Sequence, residues 1–286
     1  MAIRTILACA SGGTASDGTV EIACQIAKRF QAHLEGFHVR LDAKELLVHA
    51  GVGFGATVAA DWVEQIMGDA GAQATKTRAS FAAAAARHGL AMVEAPPASG
   101  ASAAWREETG YASRVVARRA RFFDLAVLGR SDRVMDEPHS DTIEETLMHS
   151  GRPLLLAPAR PPAVLGETVA FGWNGSAAAV HALTAALPFL VGARAVFVIA
   201  IGGHHERSAE AVIAYLAWRG VAAQLRTADA IPGVGPGEQL LAAARDEGAD
   251  LLVMGGYGRT PWREMLFGGA TREVVGTSLL PLLLSH

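Results

Sequence analysis

The chain has 286 residues, 51% hydrophobic and 19% charged, with a formal net charge of −3 and two cysteines. That length suits two domains of ordinary size, each able to bury its own core. No block of like charges offers a nucleic-acid-binding arm, and no long uncharged apolar run offers a membrane span, so neither kind of partner is expected. Cys9 and Cys24 fit a reducing cytoplasm, with no disulfide framework or metal cluster.

The N-terminal stretch TILACASGG (5–13) reads as a strand that ends in a turn, and an Ala-rich helix follows. It enters the strand pattern at once, unlike a signal peptide, so a cytoplasmic location is expected. Cys9 falls in the first strand and Cys24 on the first helix, both as small core hydrophobes. His33 and His38 flank a strand and read as residues with local polar partners. A helical insert follows at roughly 59–89, where the run SFAAAAARHG stops at Gly89. Trp105, Arg106, Glu107 and Glu108 read as the start of a third helix with a solvated, charged face. FFDLAVLGR (122–130) is a buried strand, and RPLLLAP (152–158) is the last strand of the half. APARPPAVLGE (157–167), with three prolines and no apolar periodicity, is a linker.

The second half predicts strands at 168–172, 195–201, 222–227, 250–254 and 280–284. Helices are predicted at 176–190, with Ser176 as N-cap, and at 207–219, 237–247 and 268–276. Short, continuously apolar strands that alternate with helices mean a parallel sheet covered on both faces.

The two halves repeat each other. Asp124 and then four apolar residues lead to Gly129, as Asp250 leads to Gly255. RPLLLAP matches LPLLLSH (280–286), and TILACASGG matches TVAFGWNGS (168–176). The expected domains are therefore residues 1–157 and 167–286, with 158–166 as linker.

The chemistry concentrates in MGGYGRTPWREMLFGGATREVV (254–275), directly after a strand. Ligands of doubly wound sheets sit at the carboxyl ends of the strands. Gly255 stands at such an end, and Gly268 and Gly269 fall where the next helix begins and offers unpaired N–H groups. On residue type alone, the glycines could equally make a tight turn.

The spacing Gly255-x2-Gly258-x9-Gly268, within DLLVMGGYGRTPWREMLFGGATREVV, resembles the nucleotide-binding motif of universal stress proteins, and so does VAFGWNGSAAAVHAL at the start of that half. The chain as a whole resembles a tandem bacterial universal stress protein. That resemblance implies two tandem doubly wound five-stranded parallel sheets of the adenine-nucleotide α-hydrolase type, strand order 3-2-1-4-5. It also implies an ATP site, with or without Mg, that serves regulation more than turnover. Gly255 and Gly258 would line the ribose and phosphates, and Gly268 with the helix start at Gly269 and Ala270 would hold the remaining phosphate oxygens. The family usually has Ser or Thr where Gly269 stands. Where its ATP binders have Asp facing adenine, this chain has Asn174. That amide can pair with the base edge or simply shape the turn before Gly175. Arg259 and Arg263 can reach phosphate or water.

Aligned on Pro153 and Pro281, the first half places Ser140-Asp141 at Gly268-Gly269 and Asp132 near Gly258. Asp132, Asp136, Glu137 and Asp141 would repel a triphosphate. Ser11 stands where the family has Asp. The first half is therefore expected to be a degenerate nucleotide site, and its acidic loop with His139 a solvated loop. His204-His205-Glu206 could bind zinc with a third ligand from elsewhere, but adjacent residues in a loop rarely point at one metal, which disfavours that reading. No general base is evident, so ATP hydrolysis would be slow at most. The final strands 153–157 and 280–284 are expected to contact each other in an intramolecular pseudo-dimer. Whether two chains associate further as a homodimer is not legible in the sequence. The alternative reading is a nucleotide-free stress protein acting on an unknown protein partner.

Overall fold

The computed structural model describes residues 2–12, 14–40, 56–95, 100–130, 137–256 and 269–286, with the side chains of 14–15, 56–70, 137–140 and 204 left out. These residues divide into two compact units, Arg4–Arg152 and Pro153–His286, the latter joined by the residues ahead of Arg4.

The first unit runs β1 (Thr5–Cys9), α1 (Thr14–Phe30), β2 (His33–Arg40), α2 (Ala56–Arg87), β3 (Ala91–Met92), β4 (Ser102–Thr109), α3 (Ala112–Ala120), β5 (Leu125–Gly129) and α4 (Glu137–His149). Its strands lie in the order β3-β4-β2-β1-β5. All of these pairs are parallel. The second unit runs β6 (Leu154–Ala157), β7 (Thr168–Trp173), α5 (Ala177–Val191), β8 (Ala195–Ile201), one 3₁₀ turn (Gly203–His205), α6 (Glu206–Ala217), β9 (Ala223–Ala228), α7 (Pro236–Asp246), β10 (Leu251–Gly255), α8 (Gly269–Thr277) and β11 (Leu282–Ser285). The order β9-β8-β7-β10-β11 is the five-stranded parallel 3-2-1-4-5 sheet.

β6 adds a sixth strand, antiparallel to β11, with Leu156 opposite Leu282 and Leu154 opposite Leu284. The predicted contact between the two final strands is thus present, and it lies inside the second unit. The Pro-rich stretch before β7 forms neither helix nor strand, yet it is anchored: Leu165 is buried, and Gly166, at φ 76°, donates its N–H to Asp250.

The elements follow from the pattern of burial. β7, β10 and β11 are buried on both faces, as Val, Leu and Phe runs require in a sheet covered by helices on each side. On α1, Val20, Ala23, Ala27 and the neighbouring Ile22 and Ile26 form one apolar stripe against the sheet. Ser176 caps α5 by accepting from Ala179 N at 3.2 Å, as its position predicts.

Residues 105–108 depart from the sequence reading. They do not start a helix; they lie in β4, which pairs with β2 along its whole length from Ser102–His33 to Thr109–Arg40. Local propensity favours a helix in AAWREE, but the ladder and side-chain packing override it. Trp105 packs on Phe81 of α2 at 5.4 Å between ring centres and stacks on His38 at 6.2 Å. The charges are paired as well. Glu107 accepts from Trp105 Nε1 at 2.8 Å and faces Arg40 at 3.6 Å, and Glu108 pairs with Arg118. Gly36 in β2 makes room for this packing, because a Cβ there would lie 2.5 Å from the Phe81 ring.

Candidate nucleotide site

At the carboxyl end of β7 the chain passes through Trp173, Asn174 and Gly175 to the cap Ser176. Gly175 takes φ 71°, a conformation that favours glycine. Asn174 is exposed, and its Oδ1 accepts from Ser176 N at 3.1 Å and from Ser176 Oγ at 2.7 Å. The turn therefore occupies the amide oxygen. The amide N–H₂ remains the group that Asn174 can offer to a ligand. Trp173 is held edgewise: its Nε1 donates to Ser208 Oγ at 2.9 Å, and Ser208 donates to His205 O at 2.8 Å. The His205 ring lies beside Gly175, 3.6 Å from where a Cβ on that glycine would stand.

β10 runs beside β7 with Met254 opposite Gly172, so Gly255 ends next to Trp173. Gly255 is crowded on its side-chain face. A Cβ would lie 2.5 Å from Ala179 N and 2.6 Å from Ala178 C, within the first turn of α5. Its smallness lets that helix start close over the strand end, and its φ is ordinary. Gly256 donates to Ser285 O at 2.8 Å and accepts from His286 Nδ1 at 3.2 Å, while His286 O accepts from His181 Nδ1 at 2.9 Å.

α8 begins at Gly269. Gly269 is exposed, and no atom of the described residues lies within 4 Å of a Cβ position there. Ala270 is half-buried and Thr271 is buried. The helix is fixed from α7. Gly237 N donates to Glu273 Oε2 at 3.0 Å, and a Cβ on Gly237 would lie 2.6 Å from Ala270 O. Glu273 thus accepts from an open N–H at the start of α7 and ties that helix to α8. The sequence reading missed this link, although the Gly-x-Gly spacing of Gly235 and Gly237 at a helix start was its signal.

Of the predicted nucleotide residues, Asn174 follows β7, Gly255 ends β10, and Gly269 and Ala270 open α8. Gly258 and Gly268 lie outside the described residues, as do Arg259 and Arg263. Asp132 and Asp136 lie outside them too, and the side chains of Glu137, His139 and Ser140 are not described. Asp141 is exposed. No cluster of three His, Cys, Asp or Glu side chains converges among the described residues.

The corresponding edge of the first unit is arranged differently. Ser11 is exposed and Gly12 takes φ 92°. The side-chain amide of Gln73, from α2, lies against Gly12 where a Cβ would be, with Thr77 Oγ1 3.1 Å from that position. His38 is buried and its Nδ1 donates to Ala10 O at 2.6 Å. His33 Nδ1 pairs with Ser102 Oγ at 2.9 Å. Burial pushes the thiols of Cys9 and Cys24 up to about 12, which keeps both protonated and unreactive at neutral pH.

Comparison with known proteins bears on the fold. Residues 169–286 match the model of the universal stress protein family, and this part of the chain is a universal stress protein domain. A stretch of 48 residues is 40% identical to the universal stress protein MJ0577 of Methanocaldococcus jannaschii, spanning 17% of this chain and 30% of that protein. A crystal structure of a universal stress protein from Archaeoglobus fulgidus shares the fold over 98% of this chain and 95% of its own, with TM-score 0.71 at 15% identity. A functionally unknown protein of Pseudomonas aeruginosa PAO1, PA1789, does so over 99% and 92%, with TM-score 0.56 at 16% identity. No helix among the described residues is long and apolar enough to cross a membrane.

Proposed function

We propose that the second unit binds ATP, with or without Mg, and acts as a regulatory stress-response module that turns the nucleotide over slowly if at all. The observation that supports this reading is that the β10 end at Gly255 lies beside Trp173, at the turn that carries Asn174, and that the next described element after β10 is the helix that starts at Gly269 and Ala270. In this reading Asn174 offers its amide hydrogens to the base. The amides at the start of α8 take phosphate oxygens, helped by the helix dipole. Gly258 and Gly268, outside the described residues, are the further glycines assigned to phosphate binding in this reading. The first unit is the degenerate partner: Gln73 fills the space over Gly12, and Asp141 faces solvent near the start of α4. The reading places the protein in the cytoplasm, with no nucleic-acid or membrane partner and with an unidentified protein receiving the signal.

Thermal melts with Mg-ATP, and with GTP as control, test it. A ligand at about 100 times its Kd stabilises by roughly 2.7 kcal/mol. For a protein of this size that is a shift of a few degrees, on the order of 2–8 °C. Gly269→Asp should abolish the shift and leave the melting point of the free protein near its original value, because the side chain meets no atom of the described residues. No shift, and no nucleotide released on denaturation, would turn the reading to the alternative of a nucleotide-free protein acting through protein contacts.

A further inference from the structure

The first unit has a groove of about 570 Å³ between α1 and α2, reaching from Gly12 at the carboxyl edge of the sheet towards Arg87. That volume is in the range of small-molecule sites. α1 and α2 run in the same direction along it, and at 1.5 Å per residue the α2 wall from Gln73 to Arg87 is about 20 Å long. Val20 and Ala84 are buried and form an apolar floor. Arg87 is already paired with Glu21 at 3.3 Å at the lower end.

Ser16 points to a ligand. It is only 4% exposed and lines the groove, yet its hydroxyl makes no hydrogen bond among the described residues. The hydroxyl opens on the groove, where it can both donate to and accept from a ligand atom. Thr77 is buried beside it, but its hydroxyl already donates to Gln73 O at 2.8 Å and presents only acceptor lone pairs. Two charges flank this point. Asp17 lies on the α1 wall and Lys76 on the α2 wall, both exposed, and neither forms an ion pair with a described residue. A purely anionic ligand would face Asp17, and a purely cationic one would face Lys76. A molecule carrying both signs satisfies both walls and can set an alkyl part on Val20 and Ala84.

From the unpartnered Ser16 hydroxyl between opposite unpaired charges over an apolar floor, we propose that this groove binds a small zwitterion of the amino-acid or short-peptide class. The site is separate from the nucleotide reading of the second unit and does not depend on it.

Titration calorimetry of the full chain with the dipeptide alanyl-leucine tests the proposal, alongside its N-acetylated and C-amidated forms. The free dipeptide should bind once per chain, and blocking either end should weaken binding at least about tenfold. Ser16→Ala should weaken it about 2- to 12-fold without loss of stability, since the hydroxyl it removes has no partner. Asp17→Asn should weaken the free dipeptide and leave the N-acetylated form unaffected. The proposal is overturned by absence of binding up to about 10 mM, by equal binding of the blocked forms, or by binding that Ser16→Ala and Asp17→Asn leave unchanged.

Discussion

The carboxylate of Asp250 accepts the backbone N–H of Thr168 at 2.9 Å, and it also receives those of Glu167 and Gly166. Asp124 does the same in the other unit, accepting from Arg4 N at 2.8 Å and from Thr5 N at 3.0 Å. Each aspartate opens a central strand and ties down the start of its neighbour, so the repeated Asp-to-Gly run carries a structural device at its amino end. Burial pushes the Asp250 carboxyl above its ordinary range while the three amides pull it down. Asp250→Ala would leave those amides without their acceptor. We expect a loss on the order of 2–3 kcal/mol in denaturant unfolding. An unchanged midpoint would mean that water replaces the carboxylate.

Thr146 is fully buried in α4, and its hydroxyl has no hydrogen-bond partner among the described residues. Valine has nearly the same shape and helix propensity, without the polar atom. Thr146→Val should therefore be neutral or stabilise by about 1 kcal/mol, read as a rise in the melting temperature. A clear loss of stability would show that the hydroxyl is satisfied after all.

Gly269 sits at the start of α8, with no atom of the described residues near a Cβ position there. Gly269→Ser would supply the hydroxyl common in the resembled family. If ATP binds as proposed, its affinity should rise by the value of one hydrogen bond, about 0.5–1.5 kcal/mol or 2- to 12-fold. Calorimetry on the variant decides the point, and a fall in affinity would place the phosphates elsewhere.

His33 is half-buried at the start of β2, and burial holds its pKa below the ordinary 6.5, with Glu35 pulling upward. The unfolded chain then binds the proton more readily than the folded one. His33 should thus contribute no penalty above about pH 6.5, and stability should fall as the pH drops from there through the lower folded value. The unfolding free energy of His33→Gln should depend less steeply on pH between about 7 and 5. Parallel curves for the two proteins would contradict the shift.

Much of the fold was legible in the chain itself. The Asp124 and Asp250 repeats, the apolar runs of β7, β8 and β10 and the cap at Ser176 are local patterns, and local patterns report which face an element buries. The candidate nucleotide site was legible only as a spacing of glycines and an Asn at strand ends. What each does depends on neighbours far away in sequence. Gly255 is small because α5 starts against it, and Glu273 reaches across to Gly237.

The amino-acid sequence by itself determined that this is a duplicated α/β protein with its glycines gathered after one strand, because periodicity and turn chemistry are set by adjacent residues. Only the tertiary structure decided that 102–109 is a strand, that β6 runs antiparallel to β11, that Gln73 covers Gly12 and that a groove runs past Ser16. Those outcomes rest on strand pairing and helix packing between distant segments. There, a ladder of backbone hydrogen bonds and the burial of Trp105 against Phe81 outweigh the local helix propensity of the residues that carry them.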